Sequence, residues 1–201
     1  MLDNQLPVFS VPWAFMFWAV YICAFYIAEA GVIRHTKDTR GDGPERPQDS
    51  LASLMLLTLA TKIAALLLAW FGIGIVSAPV ILPAFFAGLA LMLLGSVLRR
   101  HCFKMLGASF TVEVRASADQ PLVAQGAYRY LRHPAYLAGV MMLTGFGLAT
   151  AGYLSALLML VTALLVYIRR INAEELALLD AMGERYRSYC ASRKKIIPFI
   201  Y

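Results

Sequence analysis

Residues Arg129–Gly139 read RYLRHPAYLAG, and the reading of this stretch decides the second half of the fold. A polar, basic loop precedes it, and an apolar run from Pro134 to Thr150 follows without a charged residue. Proline suits the first position of a helix, because the N–H it lacks would have no partner there. The stretch therefore starts a helix at Pro134 and sets His133 at or next to its N-cap. First-turn N–H groups then point back toward Arg132 and His133, which is a ready anion site. The plainer alternative is that Arg129 and Arg132 meet lipid phosphates while His133 only caps. The stretch alone leaves both open.

Working outward, this apolar run is one of five: about 9–33, 51–76, 80–98, 134–150 and 153–168. A bilayer core takes about 20 apolar residues per helix, fewer for short or packed ones. Backbone groups in lipid must be bonded within their own segment, so each run is read as a helix. The chain is 60% hydrophobic and 15% charged, against roughly 45–50% and 25% for soluble domains. The expected fold is all-α: a multi-pass membrane protein with five transmembrane helices plus a C-terminal amphipathic helix. Tight uncharged connections fall at SAP around Pro79 and at TAGY, where Gly152 is the breaker. Residues 1–98 form a three-helix transmembrane part, and 99–201 carry a helical hairpin, the C-terminal helix and the candidate chemistry.

Of the 18 Lys and Arg residues, all except Lys62 fall on one side of this layout. Lys/Arg-rich short loops stay cytoplasmic. The N-terminus is expected outside and the C-terminus inside, in a bacterial inner membrane. The net charge of +6 is then a topology signal, and no nucleic-acid partner is implied. Lys62 sits mid-helix, where a cation costs at least about 2.5 kcal/mol and is a functional candidate by default. The plainer alternative is that it snorkels. Cys23, Cys102 and Cys190 are far apart with no CxxC pattern, so neither a disulfide framework nor a metal site is indicated. MLDNQLPVF lacks a basic region, so the first run is read as a retained helix. GFGLATAG at 145–152 has the wrong spacing for a dinucleotide loop, and its small residues suit helix packing.

A second constellation is RRINAEELALLDAMGERYRSYC, residues 169–190. Ile171, Leu178, Leu179, Met182, Tyr186 and Tyr189 recur at helical spacing and give an interfacial face. Arg170 and Glu174 are four apart, hence on one face, where a plain salt bridge is the ordinary reading. Glu175 points into the apolar stripe, and a carboxylate there needs a partner or a task. Both constellations lie at the same end of one hairpin.

The segments FKMLGASFTVEV, QPLVAQGAYRYLRHPAYLAG and RRINAEELALLDAMGERYRSYCASRKKIIPFI resemble the isoprenylcysteine carboxyl methyltransferase family, which is related to the phospholipid N-methyltransferases. The resemblance covers roughly residues 100–201. It implies S-adenosylmethionine as methyl donor, bound at the cytoplasmic face under the C-terminal segment. It places His133, Pro134 and Tyr136 on the cofactor motif, and Leu122, Val123, Gly126 and Tyr128 along the nucleoside side. Arg170, Glu174 and Glu175 match the second motif. The family often has a His before LV where this chain has Gln120-Pro121, so one contact is changed there.

The residues suit that chemistry. Arg132 and His133 at a helix start fit the donor's carboxylate, and Glu174 or Glu175 fits its ammonium or sulfonium. The expected acceptor is lipidic or prenylated, most of all an isoprenylcysteine-type carboxylate, with Arg170 as the catalytic cation that orients it. A phospholipid amine or a thiol is the alternative acceptor, and Glu174 would then act as general base. Two other classes stay open: an NADPH-dependent enzyme like the sterol reductases, and a non-enzymatic membrane scaffold. Membrane lipids are partners in every case. The oligomeric state is not legible. The tail SRKKIIPFIY is expected to pack against the site at the interface.

Overall fold

The computed structural model describes residues 6–29, 51–107 and 121–196. The charged loop 34–50, Gln120 and the end of the tail from 197 onward lie outside the described residues.

The apolar runs become α1 (Trp13–Glu29), α2 (Leu51–Trp70), α3 (Ala78–Leu106), α4 (Pro134–Ala149) and α5 (Tyr153–Met182), followed by α6 (Glu184–Ala191). Short 3-10 turns occupy Pro7–Phe9 and Gly126–Arg129. By length and composition α2, α3 and α5 suffice to cross a membrane. The apolar helices α1 and α4 are shorter, at 17 and 16 residues. The architecture is that of a multi-pass integral membrane protein.

The core of the bundle is α4. It packs most extensively on α3 and next on α5, while α1 lies against α3 and α2 against α5. Lipid offers helices no hydrophobic drive to associate, so close backbone approach has to supply the attraction. Glycines make that approach possible on more than one side of α4. A Cβ on Gly88 of α3 would fall on the backbone nitrogen of Ala149 and 2.6 Å from the Gly145 carbonyl. A Cβ on Gly145 would meet the Gly88 carbonyl at 2.8 Å, and one on Gly95 would meet the Ala138 carbonyl at 2.8 Å. Toward α5, Gly147 admits the Ser155 backbone, and Gly139 leaves a notch that the Tyr167 hydroxyl fills. The small residues of 145–152 thus serve packing, as the sequence indicated.

The two uncharged connections pair with each other. The Val76 N–H donates to the Ala151 carbonyl at 3.0 Å, and the Tyr153 N–H to Gly74 at 2.8 Å. Lys62, in the second half of α2, reaches toward α1. Its Nζ donates to the Tyr21 hydroxyl at 3.2 Å and lies 5.4 Å from that ring's centroid, joining α2 to α1.

At the opposite end the helices outrun their apolar segments. At 30 residues, α5 is about 45 Å long, well beyond a core of about 30 Å. The amphipathic segment expected over 169–190 is therefore not one separate element. Its first part continues α5 to Met182, and Gly183, at φ +55°, turns the chain into α6. A residue with a Cβ rarely adopts that φ.

Gly88→Ala is expected to destabilise the protein by about 1–3 kcal/mol, the range for overpacking. The comparison is thermal unfolding in detergent against a control at lipid-facing Leu94, and equal midpoints would contradict the seam.

Candidate active site

The cytoplasm-facing expectation for the fourth and fifth apolar runs puts the start of α4 beside the far part of α5, and the structure brings these together. His133 is the N-cap of α4 and Pro134 sits at its first turn. The His133 side chain makes no cap hydrogen bond. Its Nε2 instead lies 3.2 Å from Oε1 of Glu175, on α5. Arg132 Nη1 reaches the same oxygen at 2.9 Å, and Lys195 Nζ reaches Oε2 at 3.1 Å. Glu175 is 8% exposed and His133 5%. A buried carboxylate is tolerated only with compensating charge and hydrogen bonds, and here three basic side chains supply them.

Lys195 arrives on a strap that follows α6. Its backbone pairs with the entry to α4: the Arg132 N–H donates to the Lys194 carbonyl at 2.8 Å, the His133 N–H to Lys195 at 3.0 Å, and the Lys194 N–H to Tyr130 at 3.2 Å. The strap thus covers the helix start over which the sequence had placed a C-terminal segment.

The neighbouring Glu174 has different company. The Tyr136 hydroxyl donates to its Oε2 at 2.7 Å and accepts from Arg170 Nε at 2.9 Å. Arg170 and Glu174 share a face, as their spacing required, and the phenol of Tyr136 from α4 bonds to both. The rings of His133, Tyr136 and Tyr167 form a tilted row, with centroids 5.7 and 5.3 Å apart.

The 122–128 stretch forms a side wall. Val123 and Ala127 pack on the cluster of Cys102, Phe103, Tyr128 and Ala135, while Leu122 is half-buried. Gly126, at φ +54°, passes so close to Met105 and His101 of α3 that a Cβ would stand 2.7 Å from the Met105 sulfur. Two side chains from the C-terminal part hold this wall: Tyr189 Oη donates to the Val123 carbonyl at 2.9 Å, and Arg193 Nε to the Tyr128 carbonyl at 3.1 Å. Burial, followed by the nearby Cys102 and Glu174, pushes the Tyr128 phenol well above its ordinary range. It stays protonated beside the site. Burial, Cys190 and Glu175 raise Tyr186 likewise.

Among the described residues, two buried donors next to Glu175 have no partner within hydrogen-bonding geometry: Arg132 Nε and the Tyr186 hydroxyl. Unpaired buried polar atoms are uncommon and call for a ligand, an ion or a water. The sequence singled out Tyr186 only as part of an apolar stripe. Lys195, Arg193 and Tyr167 were not singled out as site residues, because their partners lie far away along the chain.

Residues 88–180 match the model of the Isoprenylcysteine carboxyl methyltransferase (ICMT) family. The match covers a little under half of the chain. The chain is similar to protein-S-isoprenylcysteine O-methyltransferase B of Arabidopsis thaliana, at 29% identity over 56% of this chain and 58% of that protein. It is 31% identical to the protein-S-isoprenylcysteine O-methyltransferase of Schizosaccharomyces pombe, over 57% of this chain and 49% of the relative. The chain thus spans only about half the length of these relatives. The fold resembles a solved structure of the eukaryotic intramembrane Ras methyltransferase ICMT, with a TM-score of 0.71 at 20% identity over 99% of this chain and 73% of that one. The matched segment contains the α3–α4 glycine seam, the entry to α4 and both glutamates. It ends before α6 and the strap.

Glu175→Ala leaves three basic groups without their shared carboxylate. Breaking a buried pair costs roughly 3–5 kcal/mol, so a clear fall in thermal midpoint is expected, with faster tryptic cleavage at Lys194 and Lys195. Wild-type cleavage rates would show that Glu175 does not fasten the strap.

Proposed function

We propose that the protein is an integral membrane methyltransferase that uses S-adenosylmethionine to esterify an isoprenylcysteine-type carboxylate at the cytoplasmic ends of α4 and α5. The observation that carries this reading is the divided fate of two adjacent carboxylates. Glu175 is consumed by Arg132, His133 and Lys195, whereas Glu174 is held toward Tyr136 and Arg170. A bound methyl donor supplies an electrophilic methyl group on a cationic sulfur and leaves as a neutral thioether.

The available groups fit that donor. Arg132 Nε and Tyr186 Oη are orphaned donors suited to its carboxylate. Glu174 suits its ammonium, and the wall of Leu122, Val123, Gly126 and Tyr128 suits its adenine. Pro134 and Tyr136 set the start and the lining of α4. Glu175 then serves the donor indirectly, by holding Arg132, His133 and the strap in place.

Arg170 orients the acceptor's carboxylate. That group is ionised at neutral pH, its pKa being about 3.3–3.7, so its oxygen needs no base before it attacks the methyl carbon. What the protein contributes is alignment in a dry site, worth about 7–11 kcal/mol in favourable cases. A prenyl chain enters sideways from lipid, which accounts for setting the site at the ends of membrane helices. Five spans, with the N-terminus outside and α6 at the cytoplasmic interface, complete the reading.

Calorimetry in detergent is expected to show S-adenosylhomocysteine binding that His133→Ala and Glu174→Ala each weaken by about 10-fold, while Arg170→Ala leaves it within about 2-fold and lowers turnover about 100-fold. Normal turnover of Arg170→Ala at saturating acceptor would remove its role.

The acceptor class has its own signature. With a prenylcysteine acceptor the rate should be flat from about pH 6 to 8, because the nucleophile is already ionised. A rate that climbs with pH, together with methylation of phospholipid vesicles, would point to an amine acceptor instead.

A further inference from the structure

The wall at 122–128 has little regular structure of its own. Residues 121–125 lie in neither a helix nor a strand, and a short 3-10 turn, Gly126–Arg129, follows. Carbonyls in such a segment have no ladder to pair with and must find other partners. Two of them find side chains from beyond α5. The Tyr189 hydroxyl, on α6, donates to the Val123 carbonyl at 2.9 Å, and Arg193 Nε, on the strap, donates to the Tyr128 carbonyl at 3.1 Å. These two donors are also joined to each other. The Arg193 guanidinium stands over the Tyr189 ring, 4.3 Å from its centroid, and its Nη1 donates to the Tyr189 carbonyl at 3.2 Å. The Tyr189 ring stacks in turn on Tyr186, with centroids 5.9 Å apart and planes 20° apart. The wall is thus held twice, by α3 through the close approach of Gly126 to Met105 and His101, and by this linked pair from the C-terminal part.

We propose that Tyr189 and Arg193 are positioning residues of the methyl-donor site: by bonding the Val123 and Tyr128 carbonyls they fix the wall against which the donor's adenine rests. The inference rests on the assignment of Leu122, Val123, Gly126 and Tyr128 to the adenine made above. Both positioning residues lie outside residues 88–180, the segment that the family model matches. A flat ring gains from a wall that is already in place, because no ordering cost is then charged to binding. The pinned carbonyls therefore serve the nucleoside half of the donor, and Glu174 serves its amino-acid half.

The test is calorimetry in detergent with two probes. S-adenosylhomocysteine carries both halves of the donor, and methylthioadenosine keeps the adenosine half without the amino-acid end. Tyr189→Phe preserves the ring and removes the hydroxyl. It is expected to weaken both probes by the same factor, about 5-fold, the scale of one hydrogen bond. The KM for N-acetyl-S-farnesylcysteine should stay within about 2-fold, which a general loosening of the site would not allow. Glu174→Ala is expected to weaken S-adenosylhomocysteine alone, because the smaller probe lacks the ammonium. At Arg193, Gln sets an N–H where Nε stands and Met sets a methyl there. Arg193→Gln should therefore bind both probes within about 2-fold of wild type, and Arg193→Met about 5-fold more weakly. Wild-type binding of methylthioadenosine by Tyr189→Phe, or equal losses in Arg193→Gln and Arg193→Met, would overturn the proposal. Failure of the wild-type protein to bind S-adenosylhomocysteine would overturn the assigned donor, and failure to bind methylthioadenosine alone would overturn the wall's role; either takes this inference with it.

Discussion

The ion cluster on Glu175 is the contact on which the site depends. One carboxylate gathers Arg132 and His133 from the entry to α4 and Lys195 from the strap. Arg132 and His133 are neighbours, but Glu175 and Lys195 lie far from them in sequence, and burial of the carboxylate needs these partners. Desolvating any one of them is costly, and mutual neutralisation with hydrogen bonding is what offsets that cost. The same cluster aligns the strap backbone with residues 130–133, so that the N–H groups of Arg132 and His133 find acceptors. Electrostatics and backbone pairing thus reinforce each other in one place.

That cluster needs a rigid frame, and α4 provides it. The helix is short and rich in small residues, and its neighbours approach to backbone contact at Gly145 and Gly147. Such packing leaves little freedom to slide, since interiors at this density resist even a methyl group. The position of His133 relative to Glu175, and of Tyr136 relative to Arg170, follows from how α3, α4 and α5 lock together. Packing and the candidate site share the same helix, with glycine faces toward its partners and polar groups at its first turn.

Much of this was legible in the sequence. Five charge-poor runs gave five helices, and Pro134 marked the start of α4 because proline suits a helix's first turn. Pro79 and Gly152 likewise fall at helix starts, in the first turn of α3 and at the N-cap of α5, while the helix of the second run ends earlier than its apolar residues, at Trp70. The bounds at the polar ends were less legible: hydropathy stops at Ile168, but helix hydrogen bonding continues to Met182 because nothing before Gly183 interrupts it. The site divided along similar lines. Arg132, His133, Arg170, Glu174 and Glu175 could be named from motif and spacing. The partners Lys195, Tyr186 and Arg193 could not, since a basic or aromatic residue in a C-terminal segment carries no local sign of which buried group it will meet. Lys62 shows the converse. A mid-helix lysine left chemistry and snorkelling open, and its hydrogen bond to Tyr21 on a neighbouring helix was not legible in the sequence.

The adjacent glutamates show how a helix can separate two tasks with two consecutive residues of one type. Successive side chains on an α-helix diverge by about 100°. From one turn of α5, Glu175 is therefore aimed at the α4 entry and the strap, while Glu174 is aimed at Tyr136. One carboxylate is saturated by Arg132, His133 and Lys195 and becomes structure. The other is tempered by a phenol and keeps a place in the site. Exchanging their surroundings would require α5 to rotate by that angle, which the contacts at Gly139 and Gly147 oppose. The separation of roles is thus a property of helix geometry, held in register by packing a few turns deeper in the bundle.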